Sequence, residues 1–275
     1  MTRSVTFFTT IIVTLIIGIA PFNGFSQNQE QTQPEKKNSN PAQFNLGADL
    51  VSRYVWRGKD FGNSPAIQPN LSFSVAGFKI GAWGSYGFSP WSEKINDSTI
   101  VNRGNYAEMD LYMSYTLKNF TIMVYDYFLP NSLSPNSGNN YFHFKKAETG
   151  HTVEVCLTYA GTEKFPLQLC AATLVWGADK GKDSSGVYGL GTKNNFSTYL
   201  EAAYLFNIKG FGVKPFVGGI PFGSGWYGDK AGVVNAGLTV SKTIRITSDF
   251  ELPVYTSLIT NPQTESVFFV FGLTL

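Results

Sequence analysis

"NYAEMDLYMSYTLKNFTIMVYDYF", residues 105–128, decides the fold. Across 105–117, Ala107, Met109, Leu111, Met113, Tyr115 and Leu117 take one parity, and Tyr106, Glu108, Asp110, Tyr112, Ser114 and Thr116 the other. Successive side chains of a β-strand point to opposite faces, so this segment has one apolar and one polar face. Lys118-Asn119 then breaks the run, and 120–128 returns as a second strand. Both strands are about ten residues long, the length of a transmembrane β-strand and longer than the ~5–6 residues of a soluble one.

The same alternation runs through the rest of the chain. In 65–75, Ile67, Pro69, Leu71, Phe73 and Val75 oppose Ala66, Gln68, Asn70, Ser72 and Ser74. In 151–159, Val153, Val155, Leu157 and Tyr159 oppose Thr152, Glu154, Cys156 and Thr158. In 244–252, Ile244, Ile246, Ser248, Phe250 and Leu252 oppose Arg245, Thr247, Asp249 and Glu251. The pattern predicts twelve strands, near 44–58, 65–76, 78–88, 105–117, 120–128, 151–160, 166–176, 197–207, 211–220, 231–241, 244–254 and 266–275. Short connections at Gly77, 118–119, 161–165, 207–210 and 242–243 alternate with longer ones at 89–104, 129–150, 177–196, 221–230 and 255–265, after a modest first loop at 59–64. Short turns on one side and long loops on the other are the pattern of an outer-membrane barrel. In lipid every backbone polar group needs an internal partner, so such a sheet must close. The fold expected is an all-β, up-and-down antiparallel transmembrane barrel. Pro69, Pro215 and Pro253 lack the ladder donor and are expected at rims or bulges.

Composition agrees. Charged residues are 15% of the chain against the ~25% usual in soluble domains. Aromatic residues are also 15%, with 23 Phe and 14 Tyr, yet mean hydropathy is only −0.06, too polar for an α-helical membrane protein. A net charge of +2 and the lack of a basic stripe give no pull toward nucleic acid. At the N-terminus "MTRSV" precedes the apolar run "TFFTTIIVTLIIGIA" and then "PFNGFSQ", a signal-peptide pattern with cleavage expected after Ser26. The alternative is a membrane anchor, but the run is short of a ~20-residue span. Residues 27–42 are polar and free of aromatics and read as a disordered periplasmic tail, leaving 43–275 for the barrel.

"ADLVSRYVWRGKDFGNSPAIQP", residues 48–69, sets aromatic residues beside arginines. Continued as one strand to 58, it puts Leu46, Ala48, Leu50, Ser52, Tyr54 and Trp56 toward lipid. Tyr54 and Trp56 then join a headgroup-level aromatic girdle. Asp49, Arg53 and Arg57 face the lumen. "SRYVWRG", "PAIQP" and "GFKIGAWGS" within 48–85 resemble the N-terminal signature of the TorF family of porin-like outer-membrane proteins. The resemblance implies a porin-like barrel and no established substrate. The last strand, "SVFFVFGLTL", sets Val267, Phe269, Phe271, Leu273 and Leu275 on one face, as a closing strand read by the outer-membrane assembly machinery does, although Leu275 replaces the usual terminal aromatic.

The lumen is expected to hold Asp49, Arg53, Arg57, Lys79, Glu108, Asp110, Glu154, Glu201, Lys214, Arg245, Asp249 and Glu251. Arg245, Asp249 and Glu251 are expected to approach Asp49 and Arg53 where the barrel closes. Seven acids against five bases argue against strong ion selectivity. These side chains either discriminate small hydrophilic solutes in passage or form a salt-bridged plug. Cys156 and Cys170 flank the 161–165 turn on the inward face, opposite or diagonal to one another. They form either a cross-strand disulfide or two free thiols, and C-x₁₃-C suggests no metal site. The two histidines, His143 and His151, read as solvated loop residues; the alternative is a barrel hydrolase using His151 with Glu154 or Glu108. No G-x-S-x-G, H-E-x-x-H or phosphate loop occurs, so no catalytic residue and no cofactor are expected. The loops "SPNSGNNYFHFKK" 134–146 and "GSGWYGDK" 223–230 suit sugar binding, an inward constriction, or plain solvation. The reading is an outer-membrane channel for small hydrophilic solutes, with a non-conducting barrel for adhesion, structure or surface binding as the alternative.

Overall fold

A computed structural model describes residues 42–96, 99–130, 139–145, 148–186 and 191–275. The expected signal peptide and nearly all of the tail lie outside the described residues. Fifteen strands form: β1 Gln43–Val51, β2 Tyr54–Trp56, β3 Lys59–Phe61, β4 Ala66–Val75, β5 Phe78–Asn96, β6 Thr99–Leu117, β7 Phe120–Phe128, β8 His151–Tyr159, β9 Leu167–Gly177, β10 Thr198–Tyr204, β11 Phe206–Ile208, β12 Phe211–Ile220, β13 Gly232–Arg245, β14 Glu251–Asn261 and β15 Ser266–Thr274.

Twelve of them close a ring. Neighbours pair antiparallel from β4 round to β10; β10 pairs β12 directly, and β12 to β15 continue to β1. The seam is the β1–β15 pair, Asp49↔Thr274 to Val51↔Gly272, extended by reciprocal backbone bonds between Ala48 and Leu275. β11 merely lengthens the β10 side of the ladder past Leu205.

The two faces separate as the alternation requires. Phe44, Leu46, Leu71, Leu111, Met113, Leu157, Leu258 and Phe269 are exposed on the outer wall, Leu46 at 78%. Gln68, Ser72, Ser114, Thr121, Thr158, Thr239, Ser257 and Thr274 are buried inside. An apolar exterior around a hydroxyl-rich interior inverts the arrangement of a soluble domain, whose contiguous exposed apolar patches rarely pass a few hundred Å².

Beyond the first strand, strand ends differ from expectation in three places, one of them the connection expected at 255–265, which shortens to 262–265 because β14 runs to Asn261. β5 and β6 extend together through 89–96 and 99–104, where a loop was expected, so this hairpin continues beyond the neighbouring strands. The β13–β14 turn falls at 246–250, not at 242–243. The ladder runs on through Lys242↔Val254, Thr243↔Pro253 and Arg245↔Glu251 before "ITSDF" reverses it, with Ile246 and Thr247 amides donating to the Phe250 carbonyl. Ser248 and Asp249 are good turn residues, and Asp249 accepts from the Ser248 hydroxyl at 3.0 Å. Pro253 sits near this rim as expected. Pro215 keeps register with Leu238, and the bulge comes later, at Gly218/Gly219.

The largest difference is at 52–64. The first wall strand ends at Val51. The chain then turns into the barrel and makes a separate two-stranded sheet, β2–β3, with Tyr54↔Phe61, Val55↔Asp60 and Trp56↔Lys59 in register. Arg57 and Gly58 have φ of 51° and 77°, so they form a two-residue type I′ turn. A Cβ on Gly58 would collide with the Val234 carbonyl of β13, so the position needs glycine twice over.

Candidate functional site

The β2–β3 hairpin spans the interior near the end that carries the long connections. Val55, with no exposed surface, packs with Val51, Ala66, Phe216, Tyr255, Ile259 and Val270 against one side of the wall. Tyr54 lies 5.6 Å from the Trp83 ring on β5 and 5.8 Å from Tyr106 on β6. Trp56 meets Tyr127 of β7 and Tyr227 of the 221–231 connection, each at 5.6 Å between centroids. Tyr54 and Trp56 therefore do not form a lipid-facing girdle. Both turn inward, because the strand that carried them in the sequence reading leaves the wall after Val51.

At the hairpin tip, Arg57 is 3% exposed. Its guanidinium makes a forked pair with Glu154 of β8, Nη1 to Oε2 at 2.5 Å and Nη2 to Oε1 at 2.9 Å. Nη1 also donates to the Tyr227 hydroxyl. Tyr127 donates to Glu154 Oε1 at 3.0 Å, so the carboxylate is held by a guanidinium and two phenols. The guanidinium stacks over Trp56 at 4.3 Å and Tyr199 at 4.7 Å. The planar fork of arginine fits both a carboxylate edge and aromatic faces, which a lysine would not. Arg53, at the start of the hairpin, pairs within it to Asp60 at 2.6 Å. The Gly58 carbonyl accepts from Asn261 of β14 at 3.2 Å.

The other expected lumen residues divide. Glu108 and Asp110 are buried on the inner face of β6; Tyr106 donates to Glu108 at 2.6 Å, and the Phe128 amide lies 3.4 Å from Asp110 Oδ1. Asp49 accepts from Thr274 across the seam at 2.6 Å. Glu201 accepts from Tyr199 at 2.5 Å and from Asn235 at 3.2 Å. Lys214 is buried on β12 opposite Thr239, and Lys79 is half-buried beside Ser114. Arg245, Asp249 and Glu251 do not line the lumen and do not reach Asp49 or Arg53. They are exposed at the β13–β14 turn, because the two strands run four residues further than the alternation alone indicated. Cys156 and Cys170 are both buried and free, diagonal to one another with a two-residue offset in the β8–β9 register, with Sγ atoms 3.6 Å apart.

His151 is not a solvated loop residue. It has no exposed surface and lies at the outer face of β8, under Tyr141 and Phe144. Nδ1 is 2.9 Å from Asp126 Oδ1 on β7, and Nε2 is 2.6 Å from the Tyr141 carbonyl oxygen. It meets neither Glu154 nor Glu108, which face the other side of the wall. His143 pairs with Glu148 at 3.3 Å in the same connection. On the adjoining connection after β9, Asp179 accepts the Ser197 hydroxyl at 2.6 Å and the Ser197 amide at 2.9 Å, and Ser224 donates to Ser197 at 2.6 Å. Burial pushes the Asp179 carboxyl above its ordinary range, with the Ser197 bonds pulling against it. In "GSGWYGDK" this packing holds Trp226 and Tyr227 against the hairpin. The loop thus folds inward against the hairpin. The segment 134–138 and Lys146 lie outside the described residues.

Sequence reasoning missed the hairpin and its partners Tyr127 and Tyr227. The available signal was Arg57-Gly58 flanked by short β-prone triplets, a weak version of the Asn-Gly or Asp-Gly hairpin turn. No curated protein matches the chain. A family model described as a bacterial protein of unknown function, Gcw_chp, matches residues 35–219, well over half of the chain and inclusive of the hairpin and most of the wall. The chain belongs to the Gcw_chp family.

Proposed function

We propose that this is a bacterial outer-membrane barrel that passes small hydrophilic solutes, with the β2–β3 hairpin as its constriction. The apolar outer wall suits hydrocarbon, and closure leaves no open sheet edge to lipid. The inner wall offers hydroxyls, amides and a few charges to a polar solute. The resemblance of 48–85 to TorF porins points the same way.

The observation that carries the reading is the buried Arg57–Glu154 pair. A plug needed only for rigidity is made as well or better from apolar residues, since a buried ion pair gains little net stability over a well-packed hydrophobic replacement. A charged latch, by contrast, adds to the apolar contacts one directional contact whose loss favours release of the segment. No catalytic role is assigned: Asp126 on Nδ1 is placed as an orienting carboxylate would be, but Nε2, the atom that would take a proton, is occupied by the Tyr141 carbonyl.

The second reading, a non-conducting barrel, is favoured by the aromatic contacts on both sides of Trp56. Planar-bilayer recordings separate the two. The channel reading expects small or intermittent conductance from the whole protein and larger, sustained conductance when 53–63 is replaced by a short Gly-Ser link. Silence from both proteins across salts and voltages removes it in favour of the non-conducting barrel.

A further inference from the structure

Neither the passage nor the hairpin uses a sulfur cluster on the inner wall. Met123 of β7, Cys156 of β8 and Cys170 of β9 are buried together with Ala172, against Tyr125. Met123 stands directly opposite Cys156 in the β7–β8 ladder, and Cys170 is diagonal to Cys156 in the next, offset by two residues. The two Sγ atoms are 3.6 Å apart and both cysteines are free.

We propose that Cys156, Cys170 and Met123 form a binding site for a soft monovalent metal ion, Cu(I) or Ag(I). Thiolate and thioether sulfurs select such ions over hard cations. Three sulfurs around one ion, each bonded at about 2.3 Å, lie roughly 4 Å from one another. The observed thiol spacing falls a few tenths of an ångström short of that, so wall strands need only breathe to admit the ion. Glu154, the next inward residue on β8, does not compete as a harder ligand, because its oxygens are taken by Arg57, Tyr127 and Tyr227. Among the described residues no three His, Cys, Asp or Glu gather. Counting those residue types alone passes over this cluster, whose third ligand is a methionine from a neighbouring strand.

The binding step involves no electron transfer. One monovalent ion bonds two cysteine sulfurs, two S–H protons leave to solvent, and the thioether adds a lone pair without losing a proton. The bound unit carries one net negative charge, and affinity should rise with pH as protons are released. A disulfide is the competing fate of the same two thiols; it requires loss of two electrons to a thiol-oxidising partner and would abolish the site.

The test uses the full barrel folded in detergent, reduced, with two thiols per chain verified by alkylation. It is titrated anaerobically with Cu(I) against bicinchoninate. One equivalent should be retained per chain. The double change Cys156→Ser, Cys170→Ser should lose it, and Met123→Leu should weaken it by about tenfold. Because core serines can impair folding, X-ray absorption at the copper edge of the unmodified protein provides a second readout, expected to show an all-sulfur shell of three. Equal retention by a folded double-serine variant, an oxygen or nitrogen shell, or no retention by the reduced protein overturns the proposal.

Discussion

Glu154→Ala tests whether the hairpin is held by charge. The change leaves the Arg57 guanidinium, 3% exposed, with the Tyr227 hydroxyl and three aromatic faces but no anion. Removing one partner of a buried ion pair costs about 3–5 kcal/mol. The wall does not absorb that cost, because residue 154 keeps its ladder positions opposite Tyr125 and Leu174 whatever its side chain. It falls on the hairpin, whose release returns the guanidinium to water. The inserted-to-released equilibrium should therefore shift by about two to four decades, at 1.36 kcal/mol per decade. Hydrogen exchange reads this directly: Val55, Trp56 and Asp60 amides should exchange on the order of 10²-fold faster or more, while wall amides such as those of β7 stay unchanged. A double change, Arg57→Met with Glu154→Met, replaces the charges by apolar volume and should restore most of the protection. Unaltered hairpin exchange in Glu154→Ala, or a double variant as exposed as the single, refutes the idea that this pair is the latch.

Leu111→Arg, on the outer wall of β6, should cost about 2–4 kcal/mol in urea titrations of the barrel folded into lipid vesicles, whereas the inward Ser114→Arg should cost less; equal effects would deny a lipid-facing wall. Gly58→Ala meets both a positive φ and the Val234 carbonyl, so it should release the hairpin as Glu154→Ala does, visible in the same exchange measurement; retained protection would show that the turn tolerates a Cβ. Asp126→Ala removes the Nδ1 partner of His151 and should loosen the segment carrying Tyr141 and Phe144, read as several-fold faster trypsin cleavage after Lys145 with the barrel intact. Arg245→Ala, at an exposed turn, should change stability by no more than ~0.5 kcal/mol and leave single-channel conductance unaltered; a conductance change would return that residue to the lumen.

The wall was legible because its physics is periodic. In β4, β6 and β8 every inward and outward assignment made from parity holds: Gln68 and Ser72, Glu108 and Asp110, Glu154 and Cys156 all face in. The strand count held for the same reason. The turn after β13 did not, because parity says nothing about where a two-faced ladder stops. Ile244, Ile246, Phe250 and Leu252 keep the alternation across the reversal, and only Ser248-Asp249 mark it. His151 was misread for a different reason. Its partners Asp126 and the Tyr141 carbonyl come from a neighbouring strand and a long connection, and neither spacing is visible along the chain.

The hairpin shows where parity carries no information at all. A wall strand puts one of any two consecutive residues outside. Tyr54 and Val55 are consecutive and both buried, at 5% and 0% exposed. That is permitted only to a strand with protein on both faces. The aromatic residues of "SRYVWRG" do not separate the two cases, since an aromatic residue suits a headgroup girdle and a packed interior equally. The arginines do separate them energetically. Arg57 continued on a wall strand would need a partner within one or two ladder positions, while the partner it has, Glu154, is 97 residues away on β8. A segment can reach a distant wall only by leaving its own, so the charge that seemed to mark a lumen-facing wall residue is instead what draws the chain across the barrel.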